Sequence, residues 1–202
     1  MSNIKSLKKM LEGKKLLIFD FDGTIYKGDS FIHFTFFSQS LFSFVGFWTK
    51  ALISIIKGES LTKIKESFFM NFKGMKSRCF QKICNEFAEK KLVGKIKSSF
   101  MDYIDELEDS SEIVIVTASI ENYIKPWCIK NRFKLIGTQL EYERDLITGR
   151  FKTPNCKGDE KVIRISKVYD LSKFDQVIAF GDTKSDLPML NLSDKSFYKH
   201  FK

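Results

Sequence analysis

Three short apolar runs along the chain have the length and composition of buried β-strands. They are LLIF at residues 16–19, IVIV at 113–116 and VIAF at 177–180, and each ends in polar residues or glycine. A weaker candidate strand covers residues 133–140, and helical spacing near 121–131 and 159–169 separates the later runs. Strands that alternate with helices predict a parallel sheet, which binds its ligands at the carboxyl ends of its strands.

A long segment between the first two runs, residues 27 to about 108, shows helical spacing and no strand-like alternation. Several amphipathic helices are expected in it, with breaks near Gly74 and Gly94. The chain of 202 residues then suits one domain that carries a large helical insertion.

The first part of this segment repeats large apolar residues every three or four positions from Phe31 to Ile55. This spacing predicts one helix over residues 30–56, with Asp29 or Ser30 as its N-cap. Phenylalanines also lie off the main stripe, so we expect the helix to pack between other helices. Contact with a membrane surface and self-association, as in a homodimer, are the alternatives.

Composition and charge narrow the class of protein. Hydrophobic residues make up 43% of the chain and charged residues 29%, as is usual for a globular protein, and 21 phenylalanines predict a well-filled core. The net charge of +9 comes from scattered lysines and arginines, without a dense basic block or alternation of basic and aromatic residues. We therefore expect no nucleic-acid partner. The lysines form a solvated surface or attract an anionic substrate or membrane.

The cysteines and the N-terminus predict a cytoplasmic protein. The four cysteines show neither a C-x-x-C pair nor a disulfide framework, so reduced thiols are expected. The N-terminal 15 residues are basic, but acidic residues interrupt the apolar run behind them and no signal-peptide cleavage site follows. Residues 30–49 carry no Asp, Glu, Lys or Arg, yet contain too many polar side chains to cross a bilayer.

Acidic and hydroxyl side chains follow the three strongest strand candidates. Asp20 and Asp22 follow the first run, Thr117 the second, and Asp182 and Asp186 the third. In a parallel sheet these strand ends meet at one edge, where several carboxylates would repel one another without a cation. A hard divalent ion with oxygen ligands, most simply Mg²⁺, would satisfy them. Such a site beside a hydroxyl and a lysine suits a phosphoryl group.

The motifs FDFDGT, IVIVTAS, NCKGDEK and GDTKSD, in this order, resemble the four motifs of the haloacid dehalogenase superfamily of phosphatases. GDSFIHF, TASIENYIKPW and TQLEYERDLITGRF further resemble the phosphoserine-phosphatase-like branch with a helical cap. The resemblance implies an α/β fold: a Rossmann-like parallel sheet flanked by helices, with an inserted all-helical cap. Residues 1–26 and 109–202 would form the core and residues 27–108 the cap. Since the chain stops soon after the fourth motif, the sheet is expected to end early.

The resemblance also implies roles for the acidic residues. Asp20 would be the nucleophile that takes the phosphoryl group as an aspartyl-phosphate. Asp22 would protonate the leaving oxygen and then activate water. Asp20, the main-chain carbonyl of Asp22 and the Asp182 side chain would hold Mg²⁺. Asp186 would bind a metal-bound water or orient the catalytic lysine.

The phosphoryl oxygens would be held by Thr117, by the N–H groups after it, beginning with Ala118, and by the turn at Gly23. A lysine would neutralise their charge, and the motif offers both Lys157 and Lys161. We favour Lys161, because the first turn of a packed helix would hold it in place before the reaction.

Two residues are candidates for binding the rest of the substrate. Asp29 stands nine residues after Asp20, where phosphoserine phosphatases place an acidic residue that meets the substrate amine, although a helix N-cap explains it equally well. For a substrate carboxylate, Arg78 is a candidate by location alone. The sequence thus predicts a Mg²⁺-dependent phosphomonoester hydrolase for a small phosphorylated metabolite. A phosphotransferase, or a membrane-surface or scaffolding protein that keeps the fold, is the alternative.

Overall fold

The computed structural model describes residues 13–107 and 111–202 and has a five-stranded parallel sheet at its centre. The strands in chain order are β1 (Lys15–Phe19), β2 (Ser111–Ile120), β3 (Lys134–Thr138), β4 (Leu140–Glu143), β5 (Leu146–Phe151), β6 (Gln176–Gly181) and β7 (Lys195–Tyr198). The sheet has the order β3-β2-β1-β6-β7, and β4 and β5 form a separate antiparallel hairpin. The predicted α/β fold with a parallel sheet is confirmed.

Both faces of the sheet are buried, which explains why its strands are nearly continuous apolar runs. Leu17 and Phe19 of β1 belong to one core cluster, and Leu16 and Ile18 belong to the cluster on the opposite face. All four side chains are fully buried. Alternate residues of one strand therefore supply both layers of the core.

The helices surround the sheet and fill the segment between β1 and β2. They are α1 (Ser30–Ser38), α2 (Leu41–Ile56), α3 (Leu61–Phe69), α4 (Ser77–Phe87), α5 (Ser98–Asp105), α6 (Glu121–Lys130), α7 (Asp159–Val168) and α8 (Leu187–Leu190). Short helical turns cover Met70–Phe72, Ala88–Leu92, Val93–Lys95, Leu171–Lys173 and Lys184–Asp186. The helices expected near residues 121–131 and 159–169 are α6 and α7.

Residues 30–56 form two helices and not the single helix that the sequence predicts. The backbone is extended at Gln39 and Ser40, and the Ser40 side chain accepts a hydrogen bond from the N–H of Ser43 at the start of α2. A serine side chain in this position replaces the carbonyl that a continuous helix would offer to that N–H. The polar sequence Ser-Gln-Ser therefore separates α1 from α2.

Only α1 is packed as predicted. Phe31 and Phe34 of α1 are buried, and the Phe34 ring contacts Phe87 and other aromatic rings of the core. In α2, by contrast, Phe42 is 91% exposed and Ile56 is 77% exposed. The prediction that the apolar stripe is covered along the whole segment is wrong for α2, because the break after α1 turns most of its apolar side chains away from the core.

Most phenylalanines nevertheless fill the core, as the composition predicts. Thirteen of the 21 are buried, and they form aromatic contacts across the sheet face and the helical segment. On the sheet, the rings of Phe19 and Phe180 stack with their centroids 4.6 Å apart. In the helical segment, the ring of Phe68 lies 5.3 Å from that of Phe31. One continuous hydrophobic core, rich in aromatic rings, thus joins the helical segment to the sheet.

The boundary of the predicted cap at residues 108 and 109 lies outside the described residues, as do residues 1–12 of the predicted core. Helix α5 falls within the predicted cap, yet it packs on the sheet: the Phe100 ring lies 5.1 Å from that of Phe19. The hairpin in turn contacts the helical segment, with the rings of Phe69 and Phe151 6.0 Å apart. The division at 27–108 therefore stays a prediction, and α5 belongs by packing to the sheet.

The chain continues the sheet beyond its fourth motif. Strand β7 pairs in parallel with β6 from Ile178 to Gly181, so the expectation that the sheet ends early is wrong. The sequence KSFY is too short and too polar to signal a strand by itself. All four cysteines are unpaired, as predicted. Within the described ranges no helix is long and apolar enough to cross a membrane, which agrees with the prediction for residues 30–49.

Candidate active site

The carboxyl ends of the three central strands bring the predicted acidic residues to one edge of the sheet. Phe19 of β1 is in register with Ile115 of β2 and Phe180 of β6, so the residues that follow these strands are neighbours. The N–H of Asp20 donates to the Phe180 carbonyl at 2.9 Å, which extends the pairing by one residue. Asp20 therefore leaves the sheet at a fixed position.

Lys161 joins the first and fourth motifs. Its ammonium forms an ion pair with Asp20 and a second with Asp186, at 2.7 Å from Asp186 Oδ1. The lysine is 1% exposed, and it lies in the first turn of α7. Burial alone would lower the pKa of Lys161, but the two carboxylates outweigh this effect and raise it. A charged lysine is therefore fixed against both aspartates.

Three carboxylates form a compact acidic cluster at this edge. One oxygen each from Asp20, Asp182 and Asp186 lie within 4.8 Å of one another. The hydroxyl of Thr24 lies 3.0 Å from Asp20 Oδ2 and 3.2 Å from Asp182 Oδ1, so it links the ends of β1 and β6. This spacing would allow one small cation to contact all three side chains.

Burial makes this cluster electrostatically costly without a cation. It raises the pKa of Asp20 to about 7, against the opposing effect of Lys161, and the neighbouring Asp186 raises it further. Burial and Asp186 also raise the pKa of Asp182. For Asp186 itself, burial would raise the pKa, but Lys161 and the hydrogen bonds from Thr183 lower it. The negative charge of Asp186 is thus already compensated by Lys161 and Thr183, whereas Asp20 and Asp182 need a further positive charge.

Asp22 is held apart from this cluster. Its Oδ1 accepts from the N–H of Ser30 at 2.6 Å, and its Oδ2 accepts from the hydroxyl of Ser119 at 2.7 Å. Burial, followed by the nearby Asp29, raises the pKa of Asp22. Asp22 lines the same cavity as Asp20. The hydrogen bonds from Ser30 and Ser119 oppose the rise in its pKa, but burial and Asp29 outweigh them, so the environment favours the protonated acid.

Gly23 lies in the turn that follows β1. Its N–H donates to the carbonyl oxygens of Tyr26 and Gly28, so this group is engaged within the turn. Contact between Gly23 and a phosphoryl group stays a prediction. The φ of Gly23 is +80°, and a Cβ atom at this position would lie 2.1 Å from Asp182 Oδ2. Only glycine allows both the left-handed backbone and this close approach.

Thr117 lies within β2, next to the site but buried. Its hydroxyl accepts from the N–H of Ser119 at 3.0 Å, and it is 1% exposed. Ala118, the next residue, lines the cavity in front of Asp20. Of the two predicted phosphate-binding residues in this motif, the structure thus places Ala118 at the cavity and Thr117 behind it.

The cavity in front of Asp20 and Asp22 has a volume of about 300 Å³. Strand ends and α7 form its polar floor, and α1, α2 and α3 form a wall of apolar side chains: Phe31, Ile32, Trp48, Ile55, Leu61 and Ile64. Both Lys157 and Lys161 line the cavity. The floor therefore resembles a phosphate site, and the wall is suited to an apolar group.

Of the two residues predicted to select a substrate, one lines the cavity and the other does not. Asp29 lines the cavity and also caps α1 by accepting from the N–H of Ile32 at 3.1 Å, so both interpretations stand. Arg78 is exposed and does not line the cavity. Lys65 is a cavity residue that the sequence analysis missed. Its ammonium donates to the Ala118 carbonyl at 3.3 Å, and burial lowers its pKa.

Lys65 has no distinctive signal in the sequence, whereas Ser119 lies in the second motif. Lys65 is one of two lysines in the amphipathic helix α3, and only the packing of α3 across the strand ends brings it into the cavity. Ser119 stands two positions after Thr117 in that motif, but only the folded structure shows that its hydroxyl contacts Asp22.

Comparison with known proteins identifies the same family. The profile of the haloacid dehalogenase-like hydrolase family matches residues 17–191. Protein CicA of Caulobacter vibrioides is 31% identical over 193 residues, covering 93% of this chain and 86% of that protein.

Solved structures share the fold at low sequence identity. A protein of unknown function from Bordetella pertussis Tohama I has a TM-score of 0.81 at 17% identity, covering 92% of this chain and 89% of that chain. A phosphoserine phosphatase, described as a phospho-aspartyl intermediate analogue, has a TM-score of 0.61 at 13% identity, covering 92% and 86%. At these identities the likeness concerns the arrangement of the backbone.

Proposed function

The chain belongs to the haloacid dehalogenase-like hydrolase family, and from this premise we propose that it hydrolyses phosphomonoesters through an aspartyl-phosphate on Asp20. The observation that carries the proposal is the division between two aspartates that face one cavity. Asp20 is paired with Lys161 and lies within the acidic cluster, whereas Asp22 is hydrogen-bonded by Ser30 and Ser119. Two carboxyl groups in different environments can divide the roles of nucleophile and acid.

In the first step, an Asp20 oxygen attacks phosphorus and the bond from phosphorus to the ester oxygen breaks. Asp22 gives its proton to that oxygen, so the alcohol leaves as a neutral molecule. The raised pKa of Asp22 supports this assignment, because burial favours the protonated form that a general acid must have before the reaction.

In the second step, the ionised Asp22 takes a proton from water, and the resulting hydroxide attacks phosphorus. The bond to Asp20 breaks, which releases inorganic phosphate and restores the nucleophile. The fold shared with a phosphoserine phosphatase that contains a phospho-aspartyl analogue supports an intermediate of this kind.

The acidic cluster fits a divalent cation, for which we propose Mg²⁺. Three carboxylate oxygens within 4.8 Å are suitable hard ligands, and the raised pKa values of Asp20 and Asp182 reflect the positive charge that they need. Asp20 and Asp182, with the main-chain carbonyl of Asp22, would hold it, and Asp186 would support it through a bound water. When bound, the ion supplies positive charge that keeps Asp20 ionised and offsets the charge of the phosphoryl oxygens.

Lys161 supplies the fixed positive charge of the site. It is buried, held by Asp20 and Asp186, and anchored by the first turn of α7, so little reorganisation is needed as charge develops on the phosphoryl oxygens. The main-chain N–H groups after Thr117 would bind these oxygens from the side of β2. Lys157 lines the cavity from the loop before α7 and has a secondary role in this proposal.

Phosphate release from a panel of phosphomonoesters tests the function, with the Asp20→Asn variant as the blank. The panel includes phosphoserine, sugar phosphates and p-nitrophenyl phosphate, because the active site acts on the phosphoryl group common to all. Release that is absent from the Asp20→Asn protein supports hydrolysis at this site. Equal release by both proteins would refute it.

The unpaired cysteines support a reducing compartment such as the cytoplasm for this reaction.

A further inference from the structure

An exposed apolar surface lies on the helices above the active-site cavity. Ten of the nineteen large apolar side chains that are exposed in the described part of the chain fall within residues 32–61. We call the exposed apolar side chains of residues 32–61 the cap face. Concentrated apolar exposure of this kind is typical of an interaction surface and not of a surface that faces water alone.

The cap face is continuous with the wall of the cavity. Ile32, Ile55 and Leu61 line the cavity and are also 42%, 48% and 53% exposed. Inside the cavity the same wall continues with Trp48 and Ile64. An apolar group that leaves the phosphate site along this wall therefore reaches the cap face without crossing a polar surface.

The apolar side chains of the cavity wall offer no charged partner to a phosphorylated amino acid. Besides Lys161, the lysines of the lining are Lys65, which donates to the Ala118 carbonyl, and Lys157, which lies on the loop before α7. The lining offers Asp29 for an amine, but among the described residues it includes no arginine for a carboxylate. Burying a substrate carboxylate against an apolar wall would cost free energy, whereas an alkyl chain would gain it. The lining therefore favours a phosphomonoester whose leaving group is apolar.

We propose that the substrate is a lipid phosphomonoester and that the cap face rests on the anionic membrane surface in which this lipid lies. The inference rests on the proposed phosphatase function and names its substrate class. The described residues contain no helix that could cross a bilayer, so the protein would lie on the surface.

Charge distinguishes a membrane from another copy of this chain as the partner. Residues 30–58 contain no acidic side chain, and their charged groups are Lys50 and Lys57. Two copies in face-to-face contact would bring like charges together, whereas anionic lipid headgroups attract them. A protein on this face would also cover Ile55 and Leu61 at the cavity mouth, but a membrane would deliver substrate there.

A series of water-soluble alkyl phosphates, from ethyl to octyl phosphate, tests the apolar wall with the full-length protein. KM should fall about fourfold for each methylene group that enters the wall, as expected for burial of a methylene. A KM that does not change with chain length, while ethyl phosphate is hydrolysed, would overturn this inference and leave the phosphatase proposal intact. Failure to hydrolyse every alkyl phosphate, while phosphoserine or a sugar phosphate is hydrolysed, would also overturn the inference. Failure on the whole panel of phosphomonoesters would instead remove the phosphatase proposal itself.

Vesicles test the membrane surface. Phosphatidylcholine vesicles with and without phosphatidylglycerol carry phosphatidic acid as the substrate, and the double variant Phe42→Ser/Ile56→Ser removes two exposed side chains that do not line the cavity. We expect this variant to lose sedimentation with the anionic vesicles and to hydrolyse phosphatidic acid about tenfold more slowly or worse. Its turnover of octyl phosphate in solution, measured in parallel, shows whether the active site is intact.

The matched control is Ile129→Ser, which removes a 67% exposed apolar side chain from α6, away from the cap face. It should bind vesicles like the wild type. Vesicle binding that is the same in the double variant and the wild type would overturn the inference. The inference would also be overturned if the wild type did not bind vesicles and formed a dimer that the double substitution converts to a monomer. The cap face would then be an interface between copies of this chain.

Discussion

The ammonium of Lys161 lies 2.7 Å from Asp186 Oδ1 and is also paired with Asp20, so one buried cation joins the ends of β1 and β6. Lys157 lines the same cavity from the preceding loop. The geometry thus separates two lysines that are four residues apart in one motif. Lys161 has the contacts of a preorganised electrostatic stabiliser.

Replacing each lysine by alanine tests this difference. Lys161→Ala should lower kcat by roughly 10²-fold or more, the usual scale for the loss of one fixed electrostatic stabiliser. Lys157→Ala should stay within about tenfold, because its positive charge is not held against the nucleophile. Steady-state rates with p-nitrophenyl phosphate measure both, and the reverse ranking would assign the catalytic cation to the loop.

Asp20→Asn should remove turnover and preserve the fold. Burial raises the pKa of Asp20 to about 7 in the folded protein without metal. The Asp20 carboxyl therefore stays neutral to a higher pH in the folded protein than in the unfolded chain. At pH 8 the ionised carboxylate therefore destabilises the metal-free protein relative to its unfolded state, and a neutral amide relieves this cost. We expect the melting temperature without metal to hold or rise at this pH, with Lys161 still paired with Asp186. A large drop would show that the Asp20 pair stabilises the fold.

Metal removal should abolish activity reversibly. A chelator should inhibit phosphate release, and added Mg²⁺ should restore it, because Asp20 and Asp182 otherwise lack a cation between them. Asp182→Asn should raise the Mg²⁺ concentration needed for half-maximal rate. Ser172→Ala, on an exposed turn away from the cluster, is the control. Full activity of the chelated wild type would contradict the metal assignment.

Packing in the helical segment should differ sharply between two phenylalanines that are eight positions apart in the sequence. Phe34 is fully buried, so Phe34→Ala should lower the free energy of unfolding by about 3 to 5 kcal/mol. Phe42 is 91% exposed, and Phe42→Ala should change it by about 0.5 kcal/mol or less. Urea denaturation of both variants measures the contrast. Similar losses would show that α2 is covered in solution.

Gly23→Ala should impair the site through a contact with Asp182, without replacing any acidic residue or lysine of the site. The new methyl group would lie 2.1 Å from Asp182 Oδ2, at a backbone φ of +80°. The positive φ alone should cost about 1 kcal/mol or more, and the displaced Asp182 should weaken metal binding. Gly58→Ala, which shares the positive φ but has open space around it, is the matched control. Equal effects on the Mg²⁺ requirement would show that displacement of Asp182 is unimportant.

The sequence by itself determined the sheet and the acidic ends of its strands. A parallel sheet covered on both faces needs continuous apolar runs, and this requirement is local enough to be visible in LLIF, IVIV and VIAF. Because parallel strands end at one edge, the order of the motifs also indicated that Asp20, Asp22 and Asp182 would lie close together.

Tertiary structure alone decided which apolar surfaces are covered. Helical spacing identifies the apolar side of residues 30–56, but it does not show that Ser40 starts a second helix or that Phe42 stays exposed. It likewise does not show that KSFY completes the sheet as β7. Burial depends on what packs against a side chain, and those partners come from distant parts of the chain. For the same reason, the sequence favours Lys161 over Lys157 by its place in a helix, but only the folded chain shows that Lys161 reaches Asp20.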